Sequence, residues 1–324
     1  MKAKLILPLL ILLSLICNRP LCAQTVVTYA FMPDNPRLGE PVTIGINYGA
    51  DVKTAALMQE GKRLAKTVFF PMPAGSGPAV NGSAGINQPF MAAVLTVPST
   101  AKAGAAAIVL EGADGYSAEI PVIIGGREFF SDIVELNSAL TDMRTVQDAQ
   151  KTAEANHLWS ILNRTGNDAW HLGTFSPPVT SSRRTGFFGD RRVYQYSNGK
   201  SDTSIHAGID YGVPAGTAVN ACGWGRVVLA RYRIVTGNSI IIEHLPGVYS
   251  LYYHLDSMTV AEGDLVSTGA LIGLSGATGL ATGPHLHWEI RVAGENTDPD
   301  AFIARPVLDK NAILGRIYHN RVVQ

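Results

Sequence analysis

The sequence predicts a mainly β protein: two folded parts joined by a helical connector. Three observations carry that expectation. Short alternating or β-branched apolar runs recur along most of the 324 residues. Glycine and proline are plentiful, at 33 and 18, as in turn-rich β chains. Only one long stretch, within residues 127–170, shows helical spacing of its apolar residues. With 46% apolar and 16% charged residues the chain is globular rather than disordered, and its length has room for two ordinary domains.

Residues 1–23 read as a secretory signal. Lys2 and Lys4 precede an apolar run from Leu5 to Cys17, and a short polar segment ends near Ala23. The run is short for a bilayer span, which needs about 20 residues, so cleavage after Ala23 is expected, with a tether to the membrane only if the segment stays uncleaved. Neither Cys17 nor Cys22 follows a small residue, which argues against a lipid anchor. The expected location is therefore outside the cytoplasm, in the periplasm or cell envelope. Removal of residues 1–23 takes three basic and no acidic residues, leaving 23 basic against 26 acidic, a net charge of −3. That balance implies no nucleic-acid partner. The remaining cysteine, Cys222, can form no internal disulfide, and its apolar setting between Val219 and Val228 reads as a buried small hydrophobe.

From residue 24 to 126 the candidate strands are Val26–Phe31, Pro41–Tyr48, Ala55–Gln59, Phe90–Val97, Ala105–Glu111 and Ala118–Ile124. Turn clusters separate them: Pro33-Asp34-Asn35-Pro36, Glu60-Gly61, the loop from Pro71 to Gly85, and Gly112-Ala113-Asp114-Gly115. Six or seven strands in about 100 residues suggest an immunoglobulin-like β-sandwich. This part has no histidine and no clustered catalytic residues, so it reads as a spacer or binding module. In the connector, residues 127–170, the spacing of Val146, Ala149, Ala153, Leu158 and Leu162 predicts one helix, capped by Thr141 or Asp142 and stopped at Asn163 to Asn167. The β pattern returns over residues 171–305, most clearly in Gly225–Tyr232, Ser239–His244 and Tyr249–His254. Residues 306–324 form a tail with no readable role.

The chemistry gathers in this last β part. In an extended chain, His285 and His287 share one face and Leu286 and Trp288 the other. A same-face histidine pair suits a metal or acid–base work, although such a pair alone is more often a surface or satisfied one. Its candidate partners are His206, Asp210 and His254. Gly208 and the run from Tyr211 to Gly216 place His206 and Asp210 on a loop leading into a strand rather than on a helix. A catalytic zinc takes three ligands from His and Asp/Glu and keeps a position open, and His206, Asp210 and one of the final pair would supply them. Two histidines would remain to move protons in a hydrolysis.

These residues and their flanks resemble the lysostaphin-type, or LytM-like, zinc endopeptidases of bacterial cell walls. The likeness covers about residues 177–300. Its motifs include Phe188-Gly189-Asp190-Arg191-Arg192, His206-Ala207-Gly208-Ile209-Asp210, Tyr253-His254-Leu255, Gly263-Asp264-Leu265-Val266 and Thr282-Gly283-Pro284-His285-Leu286-His287. The extra segment Ser182–Gly186 departs from the family pattern and lengthens a loop. The resemblance implies a compact, mostly antiparallel β catalytic domain, one zinc ion held by His206, Asp210 and His287, and His254 and His285 as the catalytic pair. It further implies a secreted endopeptidase acting on peptide cross-links or stem peptides of peptidoglycan. The alternatives are a silent relative that activates another cell-wall enzyme, or the same chemistry on a protein substrate. Glu289 shares the face of His285 and His287 and could orient a ligand. Tyr196 and Arg191 are further candidates for substrate contact; Tyr196, Tyr252 and Tyr253 could face an oxyanion, and Arg183, Arg184, Arg191 and Arg192 could meet an anionic polymer. His244 and His157 are expected to be structural. Asn163 to His171, just before the domain, is positioned by sequence to cover the groove and self-inhibit.

Overall fold

A computed structural model describes residues 27–72, 88–164, 166 and 168–319. The expected signal segment and most of the loop from Pro71 to Gly85 lie outside the described residues. The fold is mainly β, and among the described residues its strands pair antiparallel except Ser131–Glu135 with Arg191–Gln195.

Eight strands make the N-terminal part: β1 (Tyr29–Met32), β2 (Pro41–Asn47), β3 (Val52–Gln59), β4 (Lys62–Val68), β5 (Phe70–Met72), β6 (Phe90–Thr96), β7 (Gly104–Gly112) and β8 (Ser117–Ile124). They form two four-stranded sheets, ordered β1-β2-β6-β5 and β4-β3-β7-β8. The inner faces share one apolar core, with Val42, Ile44, Ile46 and Leu95 from the first sheet and Leu57, Ile108, Leu110 and Ile120 from the second. Strands β4 and β5 escape the sequence pattern. Lys62, Arg63 and Lys66 point outward from β4 and dilute its apolar signal, and β5 is only three residues long. Glu60 and Gly61 turn β3 into β4 with both residues at positive φ, the backbone a tight hairpin requires.

The connector departs from expectation. Strand β9 (Ser131–Glu135) precedes two helices, α1 (Ser138–Thr145) and α2 (Ala149–Leu162), instead of one. Their caps are Asn137, whose side chain accepts from Leu140 N, and Asp148, which accepts from Gln150 N and Lys151 N. Thr141 lies inside α1, where its hydroxyl bonds back to Leu136 O, and Val146 is extended, which breaks the helical run.

The remaining strands are β10 (Arg184–Gly186), β11 (Arg191–Gln195), β12 (Ser201–Ile205), β13 (Ile209–Tyr211), β14 (Ala218–Asn220), β15 (Gly225–Arg233), β16 (Gly237–Leu245), β17 (Val248–Met258), β18 (Leu265–Val266), β19 (Leu271–Ser275), β20 (Leu286–Val292) and β21 (Glu295–Thr297). The main sheet runs β10-β13-β20-β17-β16-β15-β18, and β14, β19 and β21 pair at its margins. Leu286, Trp288 and Ile290 point from β20 into the core and are fully buried. That leaves His287 and Glu289 on the opposite face.

The tail also folds. Helices α3 (Pro299–Ala304) and α4 (Lys310–His319) follow β21, and α4 packs on β1 and β2. Gly45 supplies the notch: a Cβ there would stand 2.2 Å from Ile313 Cγ2, too close for any other residue unless the Ile313 side chain shifts. The outer face of the β1-β2-β6-β5 sheet is therefore buried too. Phe90, Ala92 and Val94 share one cluster with Ile313, Leu314, Ile317 and the apolar side of the main sheet. The N-terminal part is fused to the rest by this core.

Candidate active site

The strand register assembles the site. Asp210 on β13 and Tyr253 on β17 are the two cross-strand neighbours of His287 on β20. Cross-strand neighbours point the same way, so carboxylate, imidazole and phenol ring meet on one face. The Tyr253 ring lies 5.6 Å from that of His287 and nearly parallel to it, a stack that fixes the imidazole plane.

His206, Asp210 and His287 converge on one point. His206 Nε2 lies 3.1 Å from Asp210 Oδ1 and 3.0 Å from His287 Nδ1, and His287 Nδ1 lies 2.6 Å from the same Oδ1. Each far atom has its own partner. His206 Nδ1 donates to Phe187 O at 2.8 Å, His287 Nε2 is 3.0 Å from Glu289 Oε1, and Arg192 Nη2 donates to Asp210 Oδ2 at 2.6 Å. Two imidazole nitrogens and one carboxylate oxygen face inward, each oriented from behind by a hydrogen bond. That donor set fits zinc, whose histidine ligands characteristically donate their other N–H to a carboxylate or carbonyl.

His254 and His285 sit beside this centre with different partners. Their Nδ1 atoms donate to backbone carbonyls, Thr278 O at 2.7 Å and Gly283 O at 2.8 Å. This fixes the neutral tautomer with a lone pair on Nε2. His285 Nε2 is 3.8 Å from Asp210 Oδ1, and the two rings are 4.8 Å apart. His254 does not end its strand, as the sequence pattern suggests. It adopts φ +62°, a left-handed conformation uncommon for any residue but glycine, and β17 continues beyond it to Met258. A regular strand would send Tyr253 and His254 to opposite faces, whereas this kink lets both line the groove.

Surroundings separate the four histidines electrostatically. Burial lowers His287's pKa, but Asp210 and Glu289 outweigh it and lift the group to about 9. Burial, with His285 and His287 nearby, pushes His254 down to about 3. His285 and His206 are also lowered, chiefly by burial. Burial alone would raise Glu289, yet Arg291 and His287 hold it at about 2.

The groove has a volume of about 460 Å³, and all five of these residues line it, as does Glu289. Other sequence candidates lie elsewhere. Arg191 donates to Ser99 O at 2.7 Å and lies over the Phe129 ring, tying the catalytic part to the sandwich instead of facing the groove. Arg184 forms a two-bond pair with Asp300. Tyr196 is one contact removed, its hydroxyl holding Arg144, which does line the groove. Tyr252 is buried in a network with Ser250 and Cys222 N. His244 is buried there too, between Trp224 O and Ser250 Oγ, and has the structural role expected of it. No described residue of the segment expected to self-inhibit lines the groove, and Trp170 and His171, at its end, bond to His244 O.

Sequence reasoning missed Arg192's grip on Asp210, the Tyr253 stack and one whole wall of the groove. That wall is Asp132 and Val134 of β9, Leu136 just after it, and Arg144 of α1. The period-2 alternation of Asp132, Val134 and Leu136 was the available signal.

Comparisons with known proteins agree on the catalytic part. Residues 204–299 match the model of Peptidase family M23. The chain is 43% identical over 95 residues to the DD-carboxypeptidase/endopeptidase Mpg of Neisseria meningitidis, covering 29% of this chain and 22% of Mpg. It is 45% identical over 118 residues to the peptidoglycan DD-endopeptidase ShyA of Vibrio cholerae, covering 36% of this chain and 27% of ShyA. The chain thus spans about a quarter or less of these curated relatives' length. A crystal structure of a peptidase M23 from Pseudomonas aeruginosa shares the fold over 83% of this chain and 94% of that one, at 21% identity and a TM-score of 0.56. Lysostaphin from Staphylococcus simulans is 30% identical over 38% of this chain and 49% of its own, with a TM-score of 0.32. The family resemblance read from the motifs is borne out: the chain carries a domain of Peptidase family M23 at residues 204–299.

Proposed function

We propose that this protein is an exported zinc metalloendopeptidase that hydrolyses peptide bonds in the cross-links or stem peptides of peptidoglycan. One observation carries the reading: three inward-facing ligand atoms, each braced from behind, adjoin two neutral imidazoles with free Nε2 atoms. His206, Asp210 and His287 would hold one zinc ion. Zinc in such a site polarises a carbonyl and lowers the pKa of water to about 7.

The chain's own part is to manage protons and orientation. His254 and His285 are neutral at neutral pH, so either can accept the proton of the attacking water at Nε2. Burial makes the resulting imidazolium unfavourable, which favours passing that proton to the departing amine. Arg192 and Glu289 keep the ligands aimed, and the Tyr253 ring prevents His287 from rotating. All five family residues are present, so a catalytically silent binder is the weaker reading.

The names of the relatives support peptidoglycan as substrate and an envelope location, with residues 1–23 as the export signal. No helix among the described residues is long and apolar enough to cross a membrane. The test is digestion of purified peptidoglycan with and without a chelator, followed by mass spectrometry of the fragments. New amine termini that vanish with the chelator are expected. Intact wall after digestion by metal-loaded protein would refute the substrate assignment.

A further inference from the structure

The wall outside the family-matched region has one unusual member. Strand β9 joins β11 in parallel and makes a three-stranded sheet ordered β12-β11-β9. Asp132, Val134 and Leu136 line the groove, while Ser131, Ile133 and Glu135 are exposed on the other face. Asp132 is half-buried and lies directly beside Arg192 in the register. A pairing there would be the ordinary outcome. Instead Arg192 Nη2 is drawn 2.6 Å from Asp210 Oδ2. Arg144, the wall's other cation, donates to Asp202 at 3.0 Å and to Tyr196 at 3.2 Å, with its guanidinium 3.9 Å over the Tyr194 ring. Arg183, across the groove, donates to Gly212 O. Among the described residues, then, every arginine lining the groove makes its hydrogen bonds to groups other than Asp132, Arg192 Nε–H is buried without a partner, and the Asp132 carboxylate has none.

A half-buried carboxylate with no partner in a peptide-sized groove is a receptor for a cation. Resting on the peptidase reading above, we propose that Asp132 is a specificity-determining residue that binds a side-chain ammonium of the peptide substrate. Neighbouring strands are about 4.8 Å apart, and Arg192 spans from the adjacent strand to Asp210. The ammonium therefore belongs about two or three residues along an extended peptide from the scissile bond. Asp132 touches no reacting group in this scheme. It selects substrate.

The test compares cross-linked wall peptides with their side-chain amines left free or acetylated. With the full chain, the free-amine form is expected to have a kcat/KM about tenfold higher, as suits a charge-assisted hydrogen bond. Asp132→Asn should bring that ratio close to one, mainly through KM. Glu135→Gln, on the far face of the same strand, should leave the ratio as it was. An equal ratio in wild type and Asp132→Asn, or no amine preference in wild type, would overturn the proposal. If neither peptide is cut, the hydrolase reading fails, and the same ratio is read from dissociation constants by calorimetry. Amine-dependent binding that Asp132→Asn abolishes would still support Asp132, and amine-independent binding would sink it.

Discussion

Two corners of one groove, proposed above to hold the metal and to move protons, give the same side chain opposite surroundings. At the ligand corner, His287 has carboxylates at both ring nitrogens, Asp210 at Nδ1 and Glu289 at Nε2. At the proton corner, His254 and His285 have only a backbone carbonyl at Nδ1. Burial depresses all of these imidazoles, and only carboxylate neighbours reverse it. Hence His287 rises to about 9 and His254 falls to about 3, with ring centroids 6.2 Å apart. The lesson is that residue type supplies the capacity and the partner at the far nitrogen decides its use. A carboxylate behind the ring favours bound positive charge, whereas a carbonyl keeps the ring neutral and ready to accept.

The largest expected effect comes from deleting the ligand corner. His287→Ala should reduce bound zinc, read by elemental analysis, from one per chain to near zero, with wall cleavage lost. Retained stoichiometric zinc would break the assignment. Next is Glu289→Gln, which keeps a hydrogen-bonding group but removes its charge. Metal affinity measured by competition with a chelator should fall about 10- to 100-fold. An unchanged affinity would reduce Glu289 to a packing residue.

A subtler effect is the pH dependence of the metal-free protein. His287's folded pKa of about 9 lies above the unfolded value near 6.5, so its stabilisation is full below 6.5 and is lost as pH rises through 9. His254 and His244, both near 3, act the other way: their contribution is full above 6.5 and is lost as pH falls toward 3. The melting temperature of chelated protein should be highest near pH 6.5 and decline on both sides. A melting temperature that climbs steadily to pH 9 would contradict the charge assigned to His287.

Much of this corner was legible because a strand's alternation is local. Leu286, Trp288 and Ile290 on one face and His285, His287 and Glu289 on the other can be read from six consecutive residues. The family resemblance added distant partners, His206, Asp210 and His254, that no local pattern could join. Other features depend on pairings remote in sequence. The kink at His254 arises where β17 shifts register against β16, and it has no glycine to announce it. Strand β9 is five residues with charged or polar ends, and its partner β11 lies about 60 residues later. Helix α4 is short and carries Gly315, so Ile313, Leu314 and Ile317 gave a weak signal. Its place is defined by the Gly45 notch, a feature of another part of the chain.

The contrast between the corners is the central claim, and His285→Ala tests it most directly. His285 stands two residues from His287 on the same side of the chain, so position alone would give both the same role. Zinc content and wall cleavage should be measured on one preparation of this variant. The expected result is one zinc per chain with turnover reduced at least 100-fold. Loss of the metal, or turnover near that of the unaltered protein, would contradict the division between the two corners.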